Sequence, residues 1–312
     1  MLSDLLHITF VISILAGMLR IATPLLLAAS GELVAERAGV MNMSIEGTML
    51  MGAFAGFLAA AKTGSLLAGT VMAILAGGLW GLLFAFLACT LKVNQIIASL
   101  TSNLLSSGLT FYGYRVAFGE ERATIPSIKI FEVVQIPYLS KIPFIGEVLF
   151  SQFLLSYVAL LMVPIIGFFL YRTKYGLQIR SLGENPRAVD MRGVSVTRLQ
   201  YFAVIFGGMM SGLGGSFLTL ASAGLFLPDI TAGRGWLAYV IVIAGNWAPG
   251  KILIAALAFA FLDSFQLHLQ SLGVNFPYQI LLALPYVFAI LVMAGNRSRS
   301  AAPLSLAIPY RR

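Results

Sequence analysis

The sequence predicts an all-α, polytopic integral membrane protein with about 8–10 membrane-spanning helices, some of them broken or re-entrant. The first observation is composition: of 312 residues, 59% are hydrophobic and 10% charged, and the mean hydropathy is +0.92. A soluble domain typically carries about 25% charged residues. The second observation is that apolar stretches of about 20 residues recur along the whole chain. Lipid must therefore be the solvent for most of this protein.

Nine segments are long and apolar enough to be interpreted as spans, although their boundaries are good only to a few residues. The segment at 233–248 is short and punctuated by Gly233, Gly235, Gly245 and Pro249, so we expect it to be broken or re-entrant. The nine predicted segments lie near 5–28, 43–61, 65–90, 94–117, 149–170, 199–222, 233–248, 252–272 and 276–294.

The formal charge of +8 is concentrated in loops. The loop 171–198 lies between the stretches 148–170 and 199–228, which contain no charged residue. Because basic residues gather on the cytoplasmic side of membrane proteins, this loop is predicted to be cytoplasmic. Its acidic residues are only Glu184 and Asp190. Its basic residues are Arg172, Lys174, Arg180, Arg187, Arg192 and Arg198.

The chain is predicted to form a single transmembrane domain over residues 1–312, with three parts outside the membrane. These are the cytoplasmic loop 171–198, an extracytoplasmic loop at 118–148, and a cytoplasmic tail at 295–312 with Arg297, Arg299, Arg311 and Arg312. No basic face with interleaved aromatic residues occurs outside the loops, which argues against nucleic-acid binding.

Enzyme chemistry has little support in the sequence. Cys89 is the only cysteine, so neither an intrachain disulfide nor a cysteine metal site is expected. His7 and His268 are the only histidines, and no metal-spaced cluster or nucleophile–base pair is visible. No phosphate-binding G-x-x-x-x-G-K-[ST] loop occurs either. We therefore expect a protein without catalytic residues or a cofactor of its own.

The loop 171–198 carries helix signals that a plain connection does not need. Asn185 suits an N-cap, Pro186 suits the first helical position, and Gly193 suits a left-handed stop. Residues 175–182 can form another short helix that ends at Gly183. Two short helices joined at a glycine predict a firm protrusion that docks a partner protein. The alternative is a helix lying on lipid headgroups.

At this point the sequence resembles a known family. The run Leu-Gly-Glu-Asn-Pro-Arg-Ala-Val at 182–189, followed by Gly-Val-Ser-Val at 193–196, is similar to the cytoplasmic coupling region of ABC importer permeases for branched-chain amino acids, ribose-type sugars and nucleosides. The runs GELVAERAGVMN at 31–42 and IEGTMLMG at 45–52 resemble the simple-sugar and nucleoside branch, as do LRIATP at 19–24 and GRGW at 233–236.

The resemblance implies a permease subunit in the plasma (inner) membrane of a prokaryote, moving a nucleoside or simple sugar by alternating access. Its partners would be a cytoplasmic ABC ATPase that binds the ATP, a second related permease, an extracytoplasmic substrate-binding protein and the membrane lipid. A branched-chain amino acid importer is an alternative, as is an ion-coupled secondary transporter that relies on Asp263 and Glu46. The ATPase-coupling residues of the family map onto Gly183, Glu184, Asn185, Pro186 and Ala188, together with Arg187.

A polar stripe inside the membrane is the candidate substrate pathway. It consists of Asn94, Gln95, Ser99 and Asn103, of which the last three repeat every four residues and share a helical face. Their side chains could bind the hydroxyls and base edges of a nucleoside, or could only join helices to one another.

Other sequence features leave alternatives open. Arg20 and Glu46 are expected to pair with each other, or to cap the start of the second span. Asp263 and His268 are five residues apart and do not share a helical face. Three small-xxx-small pairs predict close helix contacts within one subunit or between subunits: Gly52 and Gly56, Gly77 and Gly81, Gly208 and Gly212.

Overall fold

A computed structural model describes residues 2–119, 126–271, 278–295 and 301–310 of the chain. Each of the nine predicted spans contains a helix, so the helical membrane fold is confirmed. Among these described residues, five helices are long and apolar enough to cross a membrane: Thr9–Arg37, Leu66–Thr90, Leu154–Arg172, Val196–Ala223 and Pro249–Gln270. The basic tail residues Arg297, Arg299, Arg311 and Arg312 lie outside the described residues.

The helices follow one another in the order that the apolar pattern predicts. Two of them end in π-helical turns, Phe86–Thr90 after α3 and Leu218–Ala223 after α9. In the part of the chain that the structure describes, the α-helices are α1 (Leu2–Arg37), α2 (Ile45–Thr63), α3 (Leu66–Ala85), α4 (Gln95–Phe118), α5 (Ile145–Leu149), α6 (Leu154–Arg172), α7 (Lys174–Glu184), α8 (Pro186–Met191), α9 (Val196–Phe217), α10 (Arg234–Ala244), α11 (Pro249–Ser271) and α12 (Tyr278–Gly295).

The fold departs from a purely helical one in the segment between α4 and α6. There β1 (Val133–Gln135) pairs antiparallel with β2 (Ser151–Phe153), with Val133 opposite Phe153. The residues of β1 and β2 include Val and Phe, which favour extended backbone. The predicted loop 118–148 is therefore partly ordered by a short hairpin that closes just beyond its end.

Glycines bring α2, α3 and α9 into backbone contact at the centre of the bundle. A Cβ atom added to Gly77 would lie 2.3 Å from the carbonyl oxygen of Gly208, and one added to Gly52 would lie 2.3 Å from that of Gly212. Only glycine permits such an approach. The small-residue pairs thus pack helices within one subunit, which is the first of the two predicted alternatives.

Two helices, α2 and α10, begin inside the bundle. Near the end of α10, the carbonyl oxygen of Trp247 accepts a hydrogen bond of 2.8 Å from Arg37, the last residue of α1. The 11 residues of α10 span about 16 Å at 1.5 Å per residue, whereas a membrane core is about 30 Å thick. The helix α10 is therefore too short to cross the membrane by itself. As the sequence predicted, this segment is not a full crossing.

Candidate functional site

The two short helices predicted in the basic loop are both present, and we call them the α7–α8 pair (residues 174–191). Thr173 caps α7, since its hydroxyl accepts from the backbone nitrogen of Gly176 at 3.1 Å. Asn185 caps α8 by accepting from the nitrogen of Ala188 at 3.1 Å, and Pro186 is the first residue of that helix. Gly193 follows with a φ of +75°. The first helix ends at Glu184, one residue beyond the predicted Gly183.

The α7–α8 pair presents an exposed, basic and partly apolar surface. Glu184, Asn185 and Arg187 are exposed, Pro186 and Ala188 are half-buried, and Gly183 is buried. A groove of about 330 Å³ lies at the two helices and is lined by both apolar and basic side chains. It is lined by Lys174, Leu177, Gln178, Ser181, Ala188, Val189, Arg192 and Val194.

The α7–α8 pair is fastened to the end of α1 and to the C-terminal segment 301–310. The carbonyl oxygen of Gly183 accepts from the nitrogen of Ser305 at 2.8 Å, and that of Gly39 accepts from the nitrogen of Ala307 at 3.2 Å. The Tyr310 hydroxyl donates to the Asp190 carboxylate at 3.0 Å. The C-terminal segment thus joins α1 to both helices of the pair.

A buried carboxylate network continues from this junction into the bundle. Glu32 accepts from the backbone nitrogen of Asn42 at 2.9 Å, and Glu36 accepts from the indole nitrogen of Trp247. Both glutamates are fully buried. In the sequence they stand within the run at 31–42 that resembles the family. Two ionisable residues four apart on an apolar helix are the signal that would have identified them.

Glu46 caps α10 and makes no pair with Arg20, which corrects both alternatives offered by the sequence. Its two carboxylate oxygens accept from the backbone nitrogens of Gly233, at 2.8 Å, and Gly235, at 2.7 Å. The physical reason is that the N-cap residue of α10 is Gly233, which has no side chain to cap the helix itself. The first turns of α2 and α10 therefore meet inside the bundle.

The polar stripe of α4 holds the chain that leads into α2. Gln95 accepts from the nitrogen of Met41 at 2.8 Å, and Ser99 accepts from that of Met43 at 3.0 Å. Asn103 accepts from the nitrogen of Gly47 at 2.8 Å and donates to the carbonyl oxygen of Met43 at 3.0 Å.

The fourth member of the stripe, Asn94, has a different role in the fold. Its side chain caps α4 by accepting from the backbone nitrogens of Ile96 and Ile97. All four members thus make contacts within the chain, and a contact with substrate stays a prediction.

A second cavity, of about 320 Å³, lies beside Arg20 of α1 and away from the α7–α8 pair, and we call it the arginine cavity. Arg20 on α1 is about 25 Å along the helix from Arg37 at 1.5 Å per residue. The cavity is lined by Arg20, Ile21, Pro24, Ile130, Phe153, Phe217, Leu218, Ala221, Ser222 and Arg234. Part of its wall is the π-helical turn after α9, a geometry frequent at functional sites.

Comparisons with known proteins agree with these features. A family model described as branched-chain amino acid transport system, permease component, matches residues 14–295. A putative glucose ABC transporter permease of Haloferax volcanii is 38% identical over 266 residues, covering 85% of this chain and 80% of that protein. A guanosine ABC transporter permease of Bacillus subtilis is 33% identical, with 93% of each chain covered.

A nucleoside ABC transporter permease of Lactococcus lactis is 30% identical and covers 95% of this chain and 96% of its own length. No solved structure matches the chain. The family match extends over nearly the entire helical bundle, including the α7–α8 pair and the meeting point of α2 and α10. The chain therefore belongs to the permease family of branched-chain amino acid transport systems, and it is a multi-pass ABC transporter permease, a transport subunit and not an enzyme.

Proposed function

We propose that this chain is the permease subunit of an ATP-driven importer that carries a nucleoside or a simple sugar into a prokaryotic cell. The observation that carries the proposal is the α7–α8 pair, a capped and exposed two-helix protrusion fastened to α1. The relatives named for nucleosides and glucose support the substrate class. The family description leaves branched-chain amino acids as the alternative substrate.

In this proposal the α7–α8 pair faces the cytoplasm and contacts the ATPase. The excess of Arg and Lys in residues 171–198 supports that orientation. The six predicted coupling residues span the end of α7, the single connecting residue and the start of α8: Gly183, Glu184, Asn185, Pro186, Arg187 and Ala188. Their exposed members offer polar contacts, while the neighbouring groove offers apolar ones, which together suit a protein partner.

The attachments of the α7–α8 pair provide a route for the movement. Closure of the ATPase dimer would displace the pair, and the displacement would reach α1 through the contact of Gly183 with Arg37. From Arg37 it would reach α10 through the Trp247 carbonyl, at 2.8 Å. A partner can shift the transporter between two states only if its contact energy with the transporter differs between them. The junction that carries the movement therefore has to be stiff. Its backbone hydrogen bonds supply that stiffness.

Two further partners complete the proposed importer. A second related permease would pair with this one and enclose the solute pathway. An extracytoplasmic binding protein would deliver the solute to the end of the bundle opposite the α7–α8 pair. At that end the β1–β2 hairpin and the short helix α5 give an ordered surface for docking.

A reconstituted complex tests the proposal. The importer, with its ATPase, second permease and binding protein, is placed in proteoliposomes, and ATP-driven uptake of labelled guanosine, glucose and leucine is measured. We expect Glu184→Ala and Pro186→Gly to reduce uptake at least tenfold and to weaken capture of the ATPase. Lys62→Gln, an exposed basic residue at the end of α2, is the control. Normal uptake by both coupling variants would contradict the proposal.

A further inference from the structure

We propose that the arginine cavity is a binding subsite for the base of a 6-oxopurine nucleoside such as guanosine or inosine. The inference rests on the proposed function and narrows its substrate class, because it separates oxopurine nucleosides from adenosine and from glucose. The cavity, of about 320 Å³, is at the lower end of the roughly 300–1,000 Å³ usual for small-molecule sites. That volume is large enough to hold a heterocyclic base.

Arg20 is exposed and contacts two residues of β2. Its Nε donates to the Oε1 atom of Gln152 at 3.4 Å, and its guanidinium lies over the Phe153 ring at 5.4 Å. Gln152 is itself fully buried and donates to the carbonyl oxygen of Val148 at 2.7 Å. Within the part of the chain that the structure describes, the two terminal nitrogens of Arg20 have no hydrogen-bond partner. They form a donor pair in a fixed fork.

Arg234 is fixed from a different direction. It is the first residue of α10, and the nitrogens of its neighbours Gly233 and Gly235 are both bound by Glu46. Its Nη1 donates to the carbonyl oxygens of Ile230, at 3.5 Å, and Thr231, at 3.3 Å. Glu46 therefore fixes the position of the Arg234 guanidinium. The polar stripe of α4 in turn fixes the start of α2, the helix that carries Glu46.

The polar side chains of the cavity are almost entirely hydrogen-bond donors. Two guanidinium groups and the Ser222 hydroxyl line it, and no carboxylate or amide side chain is among its lining residues. Guanidinium groups cannot accept hydrogen bonds. A sugar, whose hydroxyls both donate and accept, would leave its donors without side-chain partners here. A solute that presents adjacent acceptors fits better.

The 6-oxopurine edge has that character. O6 and N7 are neighbouring acceptors, and they are the pair that an arginine binds in bidentate fashion. Adenine replaces O6 with an amino donor, which would face the arginine donors without a bond. The remaining wall is apolar, from Ile21, Ile130, Phe217 and Leu218 among others, and suits the flat face of a base.

The test compares uptake ratios in proteoliposomes that contain the complete importer. Uptake of guanosine, inosine, adenosine and glucose is measured for the wild type, Arg20→Gln, Arg20→Lys and the control Lys62→Gln. The binding protein is the same in every sample, so a changed ratio arises in the permease. We expect the wild type to favour guanosine and inosine over adenosine, and both Arg20 variants to lower that preference about tenfold. Arg20→Lys keeps the positive charge but lacks the planar pair of donor nitrogens. It therefore separates the effect of hydrogen-bond geometry from the effect of charge.

Several outcomes would overturn the inference while leaving the proposed function intact. Equal wild-type uptake of adenosine and guanosine is one, and uptake of glucose alone is another. An unchanged guanosine-to-adenosine ratio in Arg20→Lys, with uptake retained, is a third. The absence of ATP-driven uptake of any nucleoside or sugar would instead overturn the proposed function itself. If Arg20→Gln fails to assemble, the wild-type ratio and Arg20→Lys still decide the matter.

Discussion

The two parts of α1 are held in opposite ways. Around Arg37 the helix is closed in by backbone contacts with the α7–α8 pair, by the C-terminal segment and by Trp247, and little space remains. Around Arg20 it is held by the side chains of Gln152 and Phe153, and its guanidinium lines a cavity. Under the proposed function, this difference would separate two tasks on one helix. A region that transmits movement has to be tightly packed, whereas a region that admits a solute needs space and unpaired donors.

The largest loss of stability is expected from adding a Cβ atom at Gly183, which packs against the end of α1. A Cβ there would lie 2.4 Å from the carbonyl oxygen of Arg37 and 3.0 Å from the Cβ of Pro303. Because backbone atoms cannot rotate away, we expect Gly183→Ala to lower the free energy of unfolding by about 3 kcal/mol, the upper end of usual overpacking costs. Thermal unfolding of the purified permease measures this.

Gly108→Ala is the matched control for that substitution. Gly108 is also inside a helix, α4, but an added Cβ would meet nothing within 4 Å. Alanine in a helix interior is favoured over glycine by up to about 1 kcal/mol, so this variant should be as stable as the wild type or slightly more so. Equal unfolding temperatures for the two variants would show that the junction at Gly183 is not tight.

A smaller effect is expected at the contact between α2 and α10. This contact fixes the position of the Arg234 guanidinium in the arginine cavity. Glu46→Ala removes the acceptors of the Gly233 and Gly235 nitrogens and should lower the free energy of unfolding by about 2 kcal/mol. Glu46→Gln keeps one acceptor oxygen and should have an intermediate effect. If alanine and glutamine variants unfold at the wild-type temperature, the carboxylate does not hold α10.

The smallest loss of stability is expected in the C-terminal segment 301–310. Tyr310→Phe removes one hydroxyl, which donates to Asp190 at 3.0 Å, and should lower the free energy of unfolding by about 1 kcal/mol. Uptake per ATP hydrolysed should fall as well, because Asp190 belongs to the α7–α8 pair. A normal ratio of transport to hydrolysis would limit the segment to a structural role.

The sequence predicted the positions of the helices because lipid imposes a strong and simple requirement of about 20 apolar residues for each crossing. It also predicted the caps of α8, since Asn185, Pro186 and Gly193 act on neighbouring backbone and are independent of the rest of the fold. The contacts of Glu46 could not be predicted in this way. Its partners are 187 and 189 residues away and are backbone groups of glycines, which leave no side-chain pattern to recognise.

The candidate site was predicted in part for the same reason. The α7–α8 pair is local in sequence, so its shape and exposure follow from a single run of residues. The arginine cavity is assembled from α1, the segment before β1, β2, the π-helical turn and α10, which no local pattern brings together. Glu32 and Glu36 were visible as charges in an apolar helix, yet only the fold shows that Trp247 and the nitrogen of Asn42 bind them.

The energy source of transport tests the central claim most directly. Proteoliposomes with the complete importer are supplied either with ATP on the ATPase side or with an imposed proton gradient and no nucleotide, and guanosine uptake is followed. We predict uptake with ATP that is insensitive to collapse of the gradient and is lost in Pro186→Gly. Uptake that proceeds without ATP and stops when the proton gradient is collapsed would contradict the account.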